Sequence, residues 1–127
     1  MTSRLELHGI GRLEFQDGIL IVRLLDGLEI TKDILETISR EGVDLAKGQT
    51  FCVLADLRNN ISSTPEARTF GAENHYMKHH LAYAMLADST PVILLSNFFI
   101  RFNRPRITTR LFKKEEEALL WLKKFTP

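Results

Sequence analysis

The stretch Phe51-Cys52-Val53-Leu54-Ala55 constrains this chain most, because it is apolar throughout and shows no alternation of polar side chains. A strand with one face in water alternates with period two. An unbroken apolar run of this length, entered from Gly48 and Thr50 and closed by Asp56, belongs to a strand covered on both faces. Leu81 to Leu86 has the same character. Two such strands call for helices on both sides of a sheet, and the flanking segments carry the matching start signals. Thr31 caps a helix with Ile34, Leu35 and Ile38 on one face, Asp33 in its first turn and Gly42 as its stop. Thr64-Pro65-Glu66 starts a second helix that runs to about Tyr76, and Ser89-Thr90-Pro91 starts a third that ends before Pro105.

The remaining elements follow from period and turn chemistry. Leu13 and Phe15 alternate with Arg12, Glu14 and Gln16; Asp17-Gly18 is a turn; Ile19 to Leu25 is the return strand of an antiparallel hairpin. Thr108 to Phe112 is the last strand, and Glu115 to Phe125 the last helix, with Ala118, Trp121, Leu122 and Phe125 on one face and Leu120 opposite them. The expected architecture is an α/β fold of order β-β-α-β-α-β-α-β-α. Its sheet is mixed but mainly parallel, with about five strands, an N-terminal β-hairpin and flanking helices.

Composition narrows the function classes. The chain has 127 residues, 44% hydrophobic and 26% charged, which suits a single domain over residues 1–127 with its own core. No apolar run approaches the length of a membrane span, and the first residues, Met1-Thr2-Ser3-Arg4-Leu5-Glu6, lack a signal-peptide core, so a cytoplasmic location is expected. A net charge of +1 predicts no bulk attraction to nucleic acid. The charge is unevenly spread, with 7 Lys/Arg against 10 Asp/Glu in residues 1–64 and 10 against 6 in residues 65–127. Arg101, Arg104, Arg106, Arg110, Lys113 and Lys114 follow one another without an intervening acid.

Several stretches carry a family resemblance. They are Val53-Leu54-Ala55-Asp56-Leu57-Arg58, then Asn97-Phe98-Phe99-Ile100-Arg101-Phe102-Asn103-Arg104-Pro105, then Thr109-Arg110-Leu111-Phe112 leading into Glu116-Glu117-Ala118-Leu119-Leu120-Trp121-Leu122. With the order of elements over residues 11–125, they make the chain resemble the small, uncharacterised STAS-like (SpoIIAA-like) bacterial proteins, related in fold to anti-sigma factor antagonists. The resemblance implies a non-enzymatic binding or regulatory module. It also implies a phosphorylatable serine just after a central strand, where this chain has Ser62 and Ser63. Here Asn60-Ile61 precedes the serines and Thr64-Pro65 follows, in place of the Asp-Ser-Ser-Gly of the antagonists. Helix capping by the same hydroxyls is the structural alternative.

The helix at 91–103 is the least ordinary segment. Its apolar residues, Val92, Ile93, Leu94, Leu95, Phe98, Phe99, Ile100 and Phe102, occupy nearly the whole circumference, where a helix on a sheet needs one stripe. Something must cover the second face: the chain's own fold, a second copy of the chain, or an apolar ligand or partner protein. Leu94, Phe98, Phe99 and Phe102 are therefore the expected interface or ligand surface on this helix, the outward Leu120 is a second expected contact on the last helix, and Arg101, Arg104 and Arg106 are the expected anion contacts.

Signatures of enzymes and cofactors are missing. His8-Gly9-Ile10-Gly11 precedes a strand and opens no helix, and the chain has neither a phosphate-binding loop nor a nucleophile elbow. Asp56 with Arg58 reads as a strand-end ion pair, with an enzyme centred on Asp56 and Ser62 as the weaker reading. Cys52, in an apolar run, reads as a buried inert thiol. His75 and His79 have the spacing of two ligands on one helix face, but the helix ends near Tyr76 and no third ligand stands at a matching interval. No metal, cofactor or nucleic acid is expected. The expected function is a regulatory or scaffold module acting through protein contacts, as a homodimer; the alternative is a carrier or sensor of a small amphiphile with an anionic head.

Overall fold

The computed structural model describes residues 2–127, apart from the side chains of Asn74 and His75. Its elements are β1 (Ser3–Leu7), β2 (Gly11–Gln16), β3 (Ile19–Leu24), β4 (Glu29–Ile30), α1 (Lys32–Leu45), β5 (Phe51–Asp56), β6 (Ser62–Ser63), α2 (Pro65–Gly71), α3 (Asn74–Met77), β7 (His80–Leu86), α4 (Thr90–Phe98), a π-helical turn (Phe99–Asn103), β8 (Thr109–Phe112) and α5 (Glu115–Lys123). The main sheet has the order β1-β2-β3-β5-β7-β8. Its first three strands are antiparallel neighbours and the rest pair in parallel. The α/β class, the mixed sheet and the N-terminal hairpin are thus as the sequence indicates.

Strand period sorts the core into two layers. Leu20, Val22, Val53, Ala55 and Met85 face one side, where Ile38 of α1, Val92 of α4 and Phe99 pack on them. Ile19, Ile21, Cys52, Leu54, Ala82, Ala84 and Leu86 face the other, under Ala118 and Leu122 of α5. The stripe read from the last helix is therefore the one that docks. Cys52 lies sealed in this second layer, and burial pushes its thiol up to about 11, against a hydrogen bond from the Ala82 backbone that lowers it.

Four features differ from the sequence reading. The sheet has six strands rather than about five, because Ser3–Leu7 pairs along β2 as an edge strand. Edge strands are specified by a neighbour's unpaired backbone rather than by their own apolar pattern, and β1 is largely exposed. Gly42 does not stop α1: it sits inside the helix, where a Cβ would lie 2.7 Å from Leu20 Cδ2, and the helix ends three residues later. The left-handed Lys47 and Gly48 make the stop, with Gly48 N–H donating to Val43 O. The expected helix to Tyr76 breaks at Ala72-Glu73, so that the short α3 can bring Tyr76 and Met77 into the interior. On α4, finally, the small polar Ser96 is buried while Leu94 and Phe98 are exposed, the reverse of a simple polarity reading.

Two sites test this packing. Gly11 opens β2 with φ +146, and a Cβ there would collide with the Arg23 carbonyl. Gly11→Ala is therefore expected to destabilise the fold by about 2 kcal/mol or more in denaturant titration; a variant within ~0.5 kcal/mol of wild type would contradict the close approach. His80 starts β7 against Phe51 and Tyr76, with ring centroids 5.2 and 5.1 Å apart, and its Nδ1 is buried without a partner. Burial, with a smaller push from His79, lowers its pKa from 6.5 to about 4. Between those values the unfolded chain binds the extra proton, so stability present above pH 6.5 is lost as pH falls toward 4, by up to about 3 kcal/mol. Thermal unfolding should show this slope in wild type and a flatter profile from pH 7 to 4.5 in His80→Phe. Equal slopes would remove His80 as the cause.

Candidate functional site

Asp56 ends the central strand beside Arg23 of β3, its partner in the parallel register. Arg23 Nη1 donates to Asp56 Oδ2 at 2.9 Å, and Arg58 donates to the same carboxylate from Nε, Nη2 and its backbone N–H. Glu115, at the start of α5, accepts from Arg23 Nη1 at 2.6 Å and Nη2 at 3.0 Å, and from Arg58 Nη2 at 3.3 Å. Burial alone would raise the Asp56 pKa, but the Arg58 and Arg23 hydrogen bonds outweigh it and hold the carboxyl below its ordinary range. The hydrogen bond from Arg23 leads in lowering Glu115. A carboxylate so occupied is a weak base. The quartet borders an open cleft of about 640 Å³ whose lining includes Glu6 and Arg12, so three arginines face three acids and no net charge draws an ion there.

The rest of the chemistry lies across the sheet, around α2 and α4. Thr64 caps α2, its hydroxyl accepting from Ala67 N–H. Ser62 and Ser63 immediately precede it, paired with Glu29 and Ile30 as β6 with β4. Ser62 is exposed. Arg68 Nη1 donates to Ser63 O at 2.7 Å and to Ser63 Oγ at 3.0 Å. Ser62 and Asp56 open onto different hollows, which separates the two residues of the enzyme reading.

Leu94, Phe98 and Phe102 are 64%, 47% and 64% exposed, spaced at i, i+4 and i+8 along α4 and its π turn. The rings of Phe98 and Phe102 stand 4.7 Å apart. Arg68 rides over Phe98 at 5.9 Å and Arg101 over Phe102 at 6.0 Å. Phe99 leaves this group: it is 7% exposed and packs in the core, because the helix must bury one face on the sheet. Leu120, 68% exposed, stands on α5 and so on the opposite side of the sheet from Leu94. The expected contact residues thus form two surfaces, one on α4 with its π turn and one on α5, and Phe99 is a core residue instead. Arg104 and Arg106 are exposed beyond the π turn, Arg104 with left-handed φ 50.

A cavity of about 70 Å³ lies beneath α2 and α4, lined in part by Tyr76, Tyr83, Met85, Ser96 and Phe99, with Ser62, Ser63 and Arg68 at its edge. Of these, sequence reading missed Arg68, Tyr76, Tyr83 and Ser96, since none stands in a motif. Arg23 did leave a signal, as the one charge inside the otherwise apolar Ile19–Leu24. Among the described residues no group of three or more His, Cys, Asp or Glu is placed to hold a metal; the side chain of His75 lies outside the described residues. Among the described residues no helix is long and apolar enough to cross a membrane.

The comparisons with known proteins agree with the fold. The chain is similar to an uncharacterised protein of the DUF3478 family from Shewanella loihica PV-4, whose crystal structure has a SpoIIAA-like fold. Identity is 12% and the TM-score 0.56, over 96% of this chain and 92% of that one. At that identity the likeness shows the fold alone, and it bears out the SpoIIAA-like resemblance read from the sequence. No curated protein matches the chain. Residues 13–126 match the model of DUF7793, a domain of unknown function, and the chain belongs to that family.

Proposed function

We propose that this protein is a non-enzymatic contact module, regulatory or scaffolding in role, that pairs with a second copy of itself through Leu94, Phe98 and Phe102. The carrying observation is the exposure of these three side chains on one helical face between Arg68 and Arg101. Burying each apolar side chain is worth about 1.5–3 kcal/mol, and aromatic residues with arginine are the side chains enriched where protein contacts concentrate their energy. The stripe offers on the order of 300 Å² of apolar surface, so a two-fold contact limited to it removes about 600 Å² in all. That is well under the roughly 1,200 Å² of a stable interface, and the pairing is therefore weak.

Chemistry is not the better reading, because Asp56 and Glu115 are held by arginines rather than presented to a substrate. The amphiphile carrier has less support in the form drawn from sequence: Phe99 faces the core while Leu94, Phe98 and Phe102 face outward, so they wall no common volume. A switch on the docking face has one supporting contact, since Arg68 touches both Ser63 and Phe98. A phosphate on Ser63 would pair with the Arg68 guanidinium and draw it from the ring.

Light scattering between about 10 µM and 1 mM is expected to show a concentration-dependent dimer, strengthened by salt because the rim arginines of two copies repel. Phe98→Glu and Phe102→Glu should each be monomeric with unchanged circular dichroism. A strict monomer at 1 mM at any ionic strength removes the self-pairing. For the switch, mass spectrometry of the 59–70 peptide from cells in several growth states is expected to show a phosphorylated fraction; a peptide unmodified in all of them counts against it.

A further inference from the structure

The cavity under α2 and α4 has a wall that protein atoms alone leave incomplete. Tyr76 and Ser96 are buried and line it with Tyr83. All three residues line the hollow, and their hydroxyls make no hydrogen bond to any described residue. Tyr83 is half-buried on β7. Buried hydroxyls rarely lack a partner, because an unmade hydrogen bond costs the full desolvation of the group. The rest of the lining is mainly apolar, with Leu57, Met85, Val92 and Phe99 prominent.

The hollow also has a charge at its edge. Arg68 gives only Nη1 to Ser63; its Nε and Nη2 have no hydrogen-bond partner among the described residues. The occupant that answers all three features has an apolar body, an anionic group for Arg68 and an oxygen for the hydroxyls. Size limits the apolar part: about 70 Å³ is roughly half of the 150 Å³ that holds benzene in an engineered cavity, which leaves room for about three carbons, with the anionic group outside beside Arg68.

We propose that this cavity is a binding site for a short-chain carboxylate of about three to five carbons, its carboxylate on Arg68 and a second oxygen, where present, on the hydroxyls of Tyr76, Tyr83 and Ser96. Arginine suits a planar carboxylate because its fork of N–H groups matches the two oxygens. Burial raises the tyrosine pKa values, Tyr83 up to about 12, so both hydroxyls stay protonated and able to donate at neutral pH. The site meets the docking face only at Arg68: it uses the inner side of α4, whereas docking uses the outer side.

The test is a ¹H–¹⁵N NMR titration of the full chain with sodium butyrate, sodium 3-hydroxybutyrate and, as the cationic control, butylammonium chloride, at constant ionic strength. Both carboxylates should shift the Ala67, Tyr83, Val92 and Ser96 amides saturably, 3-hydroxybutyrate binding at least about threefold more tightly. The ammonium should not bind. Arg68→Gln, at a partly exposed position, should weaken both carboxylates at least tenfold, and Tyr83→Phe should erase only the preference for the hydroxy acid. Phe102→Glu should leave all of this unchanged, so that failure of the docking reading and failure of this one are told apart. Absence of saturable shifts up to 20 mM, as expected of a cavity that holds only water, overturns the proposal. So does equal binding of the ammonium, or full affinity in Arg68→Gln.

Discussion

Every residue of β5, from Phe51 to Asp56, is buried, and the rest of the molecule is arranged around that fact. Phe51, Val53 and Ala55 supply one core layer and Cys52 and Leu54 the other, so the strand needs helices on both faces and a neighbour on both edges. β3 and β7 provide the edges. The strand ends in an acid that its surroundings would otherwise reject. A buried carboxylate is tolerable only when paired and hydrogen-bonded. Arg23 comes from β3 at the matching register, Arg58 from two residues along, and Glu115 from the first turn of α5 balances them. The ion network thereby joins the antiparallel half of the sheet, the parallel half and the last helix.

The two sides of the sheet do different work. On one, α5 closes the layer with Ala118 and Leu122 and anchors the network through Glu115. On the other, α2 and α4 bring together Ser63, Arg68, Phe98, Phe102 and the small cavity. Arg68 connects them all: it hydrogen-bonds Ser63, lies over Phe98 and borders the hollow. A change at any one of these places alters the environment of the same guanidinium.

Legibility from sequence followed the strength of the local signal. Apolar runs at 51–55 and 81–86, and the caps Thr31 and Thr64, are local statements of backbone preference, and the structure contains all of them. The β1 strand was not legible, because its order comes from the edge of β2 and not from its own exposed side chains. Gly42 misled, since a glycine near a helix end is a stop far more often than a point of close approach to a strand residue such as Leu20. The excess apolarity of 91–103 was legible as an anomaly, but not how it is apportioned between Phe99 inside and Phe98 and Phe102 outside.

By itself the sequence determined the class of fold, the order of the main-sheet strands and the longer helices from the hairpin onward, the docking stripe of the last helix and the presence of more apolar surface on 91–103 than one sheet face needs. These depend on periodicity and capping, which act over a few residues. Only the tertiary structure decided which aromatic rings face water, that Leu120 and Leu94 lie on opposite sides of the sheet, that Arg68 meets Ser63 and Phe98, and that Tyr76, Tyr83 and Ser96 converge on one hollow. Such relations join residues distant along the chain. They are set by how helices of particular lengths settle on a twisted sheet, and no local pattern in the sequence encodes that.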